Sequence, residues 1–151
     1  MKIFLGTDHA GFEMKELLKK FLISLGHEVE DCGAFSYDPQ DDYPDFIHCV
    51  AKKVAKSKAS KGIVLGGSGQ GECMVANKVK RIRAAIAYDE YGVRMSREHN
   101  DANILCLAAR VLTIEQAKKF VQVWLEREFT SDERHLRRLR KIKDIEEGKF
   151  K

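Results

Sequence analysis

The stretch Gly66-Gly67-Ser68-Gly69-Gln70-Gly71-Glu72 places four glycines in six positions directly after the apolar run Ile63-Val64-Leu65. A loop of this kind lets backbone amides converge on an oxygen-rich ligand, and a helix starting behind it adds its positive end. Two familiar uses fail on the residues. A phosphate-binding loop needs GxxxxGK[ST], and here Glu72 and Cys73 stand where the lysine and the hydroxyl belong. A dinucleotide fingerprint needs GxGxxG, but Gly67-x-Gly69 runs on to Glu72 where the third glycine is due, although Asp89 lies at a plausible ribose-binding distance downstream. A third use fits better: an acid set in a cradle of amides moves a proton while the amides hold the negative oxygen that the transfer creates.

The other residues that could do chemistry are scattered. Asp8-His9 sits in the turn Gly6-Thr7-Asp8-His9-Ala10-Gly11, and His99-Asn100-Asp101 offers a second histidine for general acid/base work, with capping or turn formation as the plainer role of its neighbours. Cys73 is a rival nucleophile or base, against the commoner reading of an inert buried thiol. Arg134 and Arg138 are four apart and share a helix face. With Arg110 they form a candidate phosphate clamp, because guanidinium groups grip phosphate bidentately. A solvated basic face is the bland alternative. RNA binding is a distant one, since no aromatics interleave the arginines. His27 and His48 receive no role.

These residues need elements to hold them. Lys2 to Gly6 reads as a strand, and Met14, Leu17, Leu18, Phe21, Leu22 and Leu25 recur at helical spacing until Gly26. Glu28 to Cys32 reads as a second strand, followed by a polar loop from Phe35 to Tyr43. Pro44 opens a helix with the apolar face Phe46, Ile47, Val50, Ala51, Val54 and Ala55. Strands are predicted over Gly62 to Leu65, Arg83 to Tyr88 and Ile104 to Ala108, with a helix over Tyr91 to Glu98. A further helix carries Ile114, Ala117, Val121, Trp124 and Leu125, and a last one runs from about Asp132 to Glu147. Five strands alternating with helices predict an α/β fold, a parallel sheet sandwiched between helical layers in one domain over residues 1–151. Ligands then bind beyond the carboxyl ends of the strands, where Asp8, His9, Glu72, Asp89 and Arg110 fall.

With 44% hydrophobic and 33% charged residues in 151, the chain reads as a folded globular protein. No apolar run approaches the roughly 20 residues of a membrane span, and the amino terminus lacks a secretory signal, so the expectation is a cytoplasmic protein without membrane or nucleic-acid partners. Cys32, Cys49, Cys73 and Cys106 form no CxxC pair, which points neither to zinc nor to disulfides. The formal charge of +4 is concentrated in Arg134, Arg137, Arg138, Arg140, Lys141 and Lys143. In that last helix Leu136, Leu139, Ile142 and Ile145 make a narrow apolar stripe, which predicts either packing on a second copy, as a homodimer, or packing on its own domain.

Five ordered motifs are Gly6-Thr7-Asp8-His9-Ala10-Gly11, Asp42-Tyr43-Pro44, the glycine loop with Ala76-Asn77-Lys78, Arg97-Glu98-His99-Asn100-Asp101-Ala102-Asn103, and Arg134-His135. Together they resemble the type B ribose-5-phosphate isomerases, whose wider sugar-phosphate isomerase family includes galactose-6-phosphate isomerase subunits. The resemblance implies a Rossmann-like sandwich and a homodimer, in some members a tetramer, with active sites across the interface. It implies an aldose-ketose isomerisation that interconverts ribose 5-phosphate and ribulose 5-phosphate without metal or organic cofactor. His99, assisted by Asp8, matches the residue that opens the furanose ring. Ser68 and the amides of Gly67, Gly69 and Gly71 match an anion hole for an enediolate. His9, Arg110, Arg134 and Arg138 match phosphate contacts, with residues 99–110 facing the partner's site, and Tyr43 and Asn100 match sugar contacts.

The sequence departs from many family members at one point. They carry a cysteine base immediately before the second glycine of the loop, and this chain has Gly66 there. It resembles the branch in which a glutamate at the position of Glu72 is the base. The phosphate would dock at the arginines, several ångströms from the carboxylate along an extended sugar. A pentose 5-phosphate is the expected substrate, with a hexose 6-phosphate, allose or galactose 6-phosphate, as the alternative within the family. A non-enzymatic nucleotide- or RNA-binding module is the alternative of another class.

Overall fold

A computed structural model describes residues 1–151. Its strands are β1 (Lys2–Thr7), β2 (Glu28–Asp31), β3 (Lys61–Gly66), β4 (Ala84–Ile86) and β5 (Ile104–Ala108). All neighbouring strands pair parallel, in the order β2-β1-β3-β5-β4. The α-helices are α1 (Phe12–Ser24), α2 (Tyr43–Lys56), α3 (Gln70–Ala76), α4 (Glu90–Glu98), α5 (Ile114–Glu126) and α6 (Glu133–Glu146). The five-stranded parallel sheet read from the sequence is thus the observed one, with β4 trimmed to three residues. No helix is long and apolar enough to cross a membrane.

Each sheet face is covered because side chains alternate along a strand. Ile3, Leu5, Ile63, Leu65, Leu105 and Leu107 point to one side and pack with Leu18 and Leu22 of α1, Val93 of α4 and Ala117, Val121 and Trp124 of α5. Phe4, Val64, Ile104 and Cys106 point to the other and meet Ile47, Val50, Ala51 and Val54 of α2 and Ala76 of α3. The helical layers therefore divide between β1 and β3, where the chain runs outward in both directions. A crevice opens at such a switch, at the carboxyl edge of the sheet.

One helical face departs from expectation. Leu17 and Leu25 of the predicted α1 stripe are 46% and 43% exposed, while Lys15 is fully buried. The Lys15 ammonium is satisfied there by the Asp31 carboxylate at 2.8 Å, the Ala34 carbonyl at 2.6 Å and Glu16 at 2.9 Å. Complete pairing of this kind is what lets an ammonium remain inside.

Helix α6 stands apart from both layers. Its sole buried residue is His135, and Ile142 and Ile145 are 46% and 59% exposed. Leu136 and Leu139 line a groove of about 940 Å³ between α6 and the amino edge of the sheet, shared with basic residues such as Lys61, Arg83 and Arg140.

Candidate active site

The glycine loop leaves β3 at the carboxyl edge and enters α3 through Gly69, whose φ of +75° is the left-handed conformation that glycine adopts without strain. Ser68 Oγ accepts a hydrogen bond from the Gln70 amide at 3.3 Å. The amides of Ser68 and Gly69 have no acceptor within the chain, so they remain for a ligand. Helix α3 has only seven residues, and these loop amides, more than a helix dipole, make the cradle.

Glu72, on the first turn of α3, is 4% exposed. Its carboxylate lies over Gly66, in the space a Cβ on residue 66 would occupy. A side chain at position 66 and the Glu72 carboxylate are therefore alternatives for one volume. This is the physical basis of the departure seen in the sequence: with glycine before Gly67, the acid reaches the place that a residue-66 side chain would fill. Burial pushes the Glu72 carboxyl above its usual range, its own amide draws it partly back, and the negative charge of Asp8 adds to the rise. A buried carboxylate held up in this way, with no basic partner, is suited to accept a proton.

Around Glu72 the carboxyl edge assembles further predicted residues. Asp8 is 7% exposed and caps the turn after β1 by accepting from the Ala10 amide at 3.0 Å. The Tyr43 ring at the start of α2 lies against Gly71, where a Cβ would fall 2.7 Å from Tyr43 Cζ. Arg110 follows β5, its amide donates to the Gly67 carbonyl at 3.1 Å, and its guanidinium lies over Gly67. His9 and Arg110 both line a cleft of about 380 Å³ with Glu13, Met14 and Tyr37.

The remaining predicted residues lie at the opposite edge. Helix α4 starts at the carboxyl end of β4 and runs back, so His99 and Asn100 emerge at the amino edge. Arg83, just before β4, fixes them there by donating from Nε to the Asn100 carbonyl at 2.9 Å. The His99 ring stacks on His135 with centroids 4.2 Å apart and planes at 13°. Arg134 Nε donates to His135 Nε2 at 3.2 Å. Burial first, then His99 and Arg134, push His135 below its usual range, in keeping with a ring whose Nε2 accepts. Arg134 and Arg138 are exposed. A five-residue strand separates the two edges by about 15 Å. Within one chain, then, Asp8 is not placed to assist His99. The resemblance implied one block over residues 99–110 facing a partner, but the fold splits it, leaving Arg110 beside its own glycine loop.

Other candidates resolve locally. Asp89 caps α4, accepting from the Gly92 amide at 2.6 Å, and Asp101 pairs with Arg83 and Arg97 at 2.7 and 2.8 Å. Cys73 is half-buried next to Cys106 and Asn77, and hydrogen bonding from Cys106 lowers its thiol against the opposing effect of burial. It faces the Ala84 carbonyl, at 3.5 Å.

Two contributors were not legible. Asp41 lies in the acidic loop before α2, and its Oδ1 is 2.6 Å from His9 Nδ1 and 3.0 Å from the His9 amide. It sits 32 residues from His9, and no spacing rule links the two. His135 stood in the Arg134-His135 motif of the sequence, with no role assigned to it there. Asp8, His9 and Asp41 bring ligand-type atoms within 4.8 Å of one another. His9 Nδ1 and Asp41 Oδ1, however, face each other as donor and acceptor, so they are committed to a hydrogen bond instead of aiming lone pairs at one point.

A family model described as Ribose/Galactose Isomerase matches residues 3–142. Ribose-5-phosphate isomerase B of Mycolicibacterium paratuberculosis is 42% identical over 139 residues, covering 92% of this chain and 87% of that protein. Among solved structures, ribose-5-phosphate isomerase B of Clostridium thermocellum superposes with a TM-score of 0.94 at 44% identity, over 98% of this chain and 99% of the other. The Mycoplasma genitalium enzyme with bound ribulose-5-phosphate gives 0.93 at 39% identity, over 97% and 96%. A family match over residues 3–142, relatives about 40% identical along nearly the whole chain and the superposition of the fold place this protein in the ribose/galactose isomerase family.

Proposed function

We propose that this protein interconverts ribose 5-phosphate and ribulose 5-phosphate, as a homodimer in which each site joins the carboxyl edge of one protomer to the amino edge of its partner. The activity is supported by the similarity to the ribose-5-phosphate isomerases B named above. The observation that carries the chemistry is the Glu72 carboxylate, buried without a basic partner beside free loop amides. The composite site is supported by the split between Asp8 and His99, which one chain leaves on opposite edges, and by the exposed apolar stripe of α6.

In this reading His99 of one protomer and Asp8 of the other open the furanose ring by shuttling a proton between the ring oxygen and the anomeric hydroxyl. Glu72 then removes the C2 proton. The electrons of that C–H bond form the C1–C2 double bond, and the charge that builds on O1 is held by the amides of Gly67, Gly69 and Gly71 and the Ser68 hydroxyl. A proton passes from O2 to O1, and Glu72 returns its own proton to C1, leaving the carbonyl at C2. His9 and Arg110 of one protomer and Arg134 and Arg138 of the other hold the phosphate, while Tyr43 and Asn100 contact the sugar hydroxyls. No metal or organic cofactor is needed for this proton traffic.

A coupled assay comparing ribose 5-phosphate with allose 6-phosphate tests the assignment. Turnover of ribose 5-phosphate with the higher kcat/KM is expected. Preference for the six-carbon substrate would move the protein to the hexose branch of the family, and turnover of neither would remove the isomerase reading.

A further inference from the structure

His9 is held by a single carboxylate in an unusual way. Asp41 Oδ1 receives both its backbone amide, at 3.0 Å, and its ring Nδ1, at 2.6 Å, so chain and ring are clamped from one atom. The Asp41 side chain is only 10% exposed, and its second oxygen, Oδ2, is buried with no partner. No lysine or arginine pairs with Asp41; its one cationic neighbour is His9. Asp8 Oδ2 stands 4.0 Å from the same Nδ1. A buried carboxylate accepts only, so Nδ1 carries the proton in this contact. The Tyr37 ring meets the imidazole edge-on, with centroids 6.2 Å apart, and the ring lines the cleft with Arg110 and Glu13.

We infer that Asp41 is a positioning residue for phosphate recognition, clamping His9 with its proton on Nδ1 so that the ring bridges two anions, Asp41 behind and the sugar phosphate in front. The inference rests on the proposed function for the identity of the anion. Its chemistry follows from the tautomer. With Nδ1–H committed to Asp41, a neutral ring would show the phosphate a lone pair at Nε2. The ring can donate forward only as an imidazolium, with Asp41 as its counterion. The forward donor to the phosphate is then Nε2–H, on a ring whose other N–H is held by Asp41. The charged groups around the ring are Asp41 and Asp8, 2.6 and 4.0 Å from Nδ1, and Glu13 and Arg110, which line the same cleft. Tyr37, at the ring edge, and the phosphate itself complete the set.

Two measurements test this. Asp41→Asn keeps shape and removes the counterion. KM for ribose 5-phosphate should rise about tenfold to a hundredfold, the range for losing a hydrogen bond to a charged group, while kcat stays within about threefold. A thermal melt of the variant, and an Asp41→Glu variant that restores most of the affinity, separate positioning from loss of fold. An unchanged KM in a folded Asp41→Asn protein, or an equal fall in kcat with KM unmoved, would overturn the inference. The second measurement is independent of turnover. In the ¹⁵N-histidine spectrum of the dimer, His9 Nδ1 should be protonated with and without inorganic phosphate, phosphate should shift the Nε2 signal as that N–H donates to the anion, and Asp41→Asn should abolish that shift. A His9 signal that ignores phosphate, or protonation at Nε2 alone in the free protein, would sink the idea even in an active isomerase. Intact phosphate coupling in a protein that isomerises nothing would leave the Asp41–His9 assignment standing and remove only the sugar substrate.

Discussion

The two edges of the sheet prepare their chemistry differently. At the carboxyl edge, Glu72, Asp8, Tyr43 and Arg110 hang from strand ends and helix starts anchored in the two cores, with Glu72 and Asp8 buried and the Glu72, Arg110 and Tyr43 side chains lying close over Gly66, Gly67 and Gly71. At the amino edge, His99 and Asn100 close a helix, while Arg134 and Arg138 stand exposed on α6, a helix with one buried residue. The first half is preorganised by the fold of a single chain. The second is held by a histidine stack, with its arginines open to solvent.

The sharpest way to test this contrast is at the preorganised edge. Glu72→Gln should lower kcat by about a thousandfold or more, within the range for a lost general base, with ribose 5-phosphate still bound in a calorimetric titration. The same substitution should raise the melting temperature near neutral pH. A carboxyl whose folded value is raised is stabilised by its proton, so the native protein loses stability as pH climbs from the ordinary range of about 4.3 through the raised value. The gain of the Gln variant should therefore shrink as the pH is lowered toward 4. For the wild type, kcat/KM should fall on the acid side at a pH above that of an ordinary glutamate.

Gly66→Ala should come next, with activity down about a hundredfold and the fold intact. The three atoms nearest the added methyl all belong to the movable Glu72 carboxylate, so the substitution displaces the base. A variant that kept full activity would mean the acid works from elsewhere. At the amino edge, His99→Asn should slow turnover about tenfold to a hundredfold. Mixing it with Glu72→Gln and allowing subunits to exchange should restore about a quarter of wild-type activity, because half the dimers would carry one intact composite site of two. No recovery after verified exchange would place both residues in one chain's site. The smallest effect belongs to Cys73→Ser, expected to change kcat/KM less than about twofold, since the thiol turns toward the Ala84 carbonyl; strong inactivation would return Cys73 to the chemistry.

Much of this molecule was legible before folding. The alternation of apolar runs with 3.6-residue periodicity gave five parallel strands and their helices, because burying a sheet on both faces leaves few other patterns. The glycine loop ending in Glu72 read as an oxyanion cradle with a base, and what the structure adds is a Glu72 carboxylate buried over Gly66. Where the reading failed, the cause was contact between distant parts. Leu17 and Leu25 satisfied the helical period yet face solvent, and Lys15 broke it yet is buried, because Asp31 and the Ala34 carbonyl meet it there.

The sequence by itself determined the local chemistry: which residue ends the loop, which turns follow strands, which helix carries the arginines. Backbone propensity and side-chain period act over a few residues, so they are written in short stretches. Tertiary structure alone decided the partnerships. It laid the Glu72 carboxylate over Gly66, clamped His9 with Asp41 across 32 residues of chain, and put His99 on the edge away from Asp8. Those outcomes depend on the crossing of strands and helices through a shared core, which fixes distances that no spacing in the chain encodes.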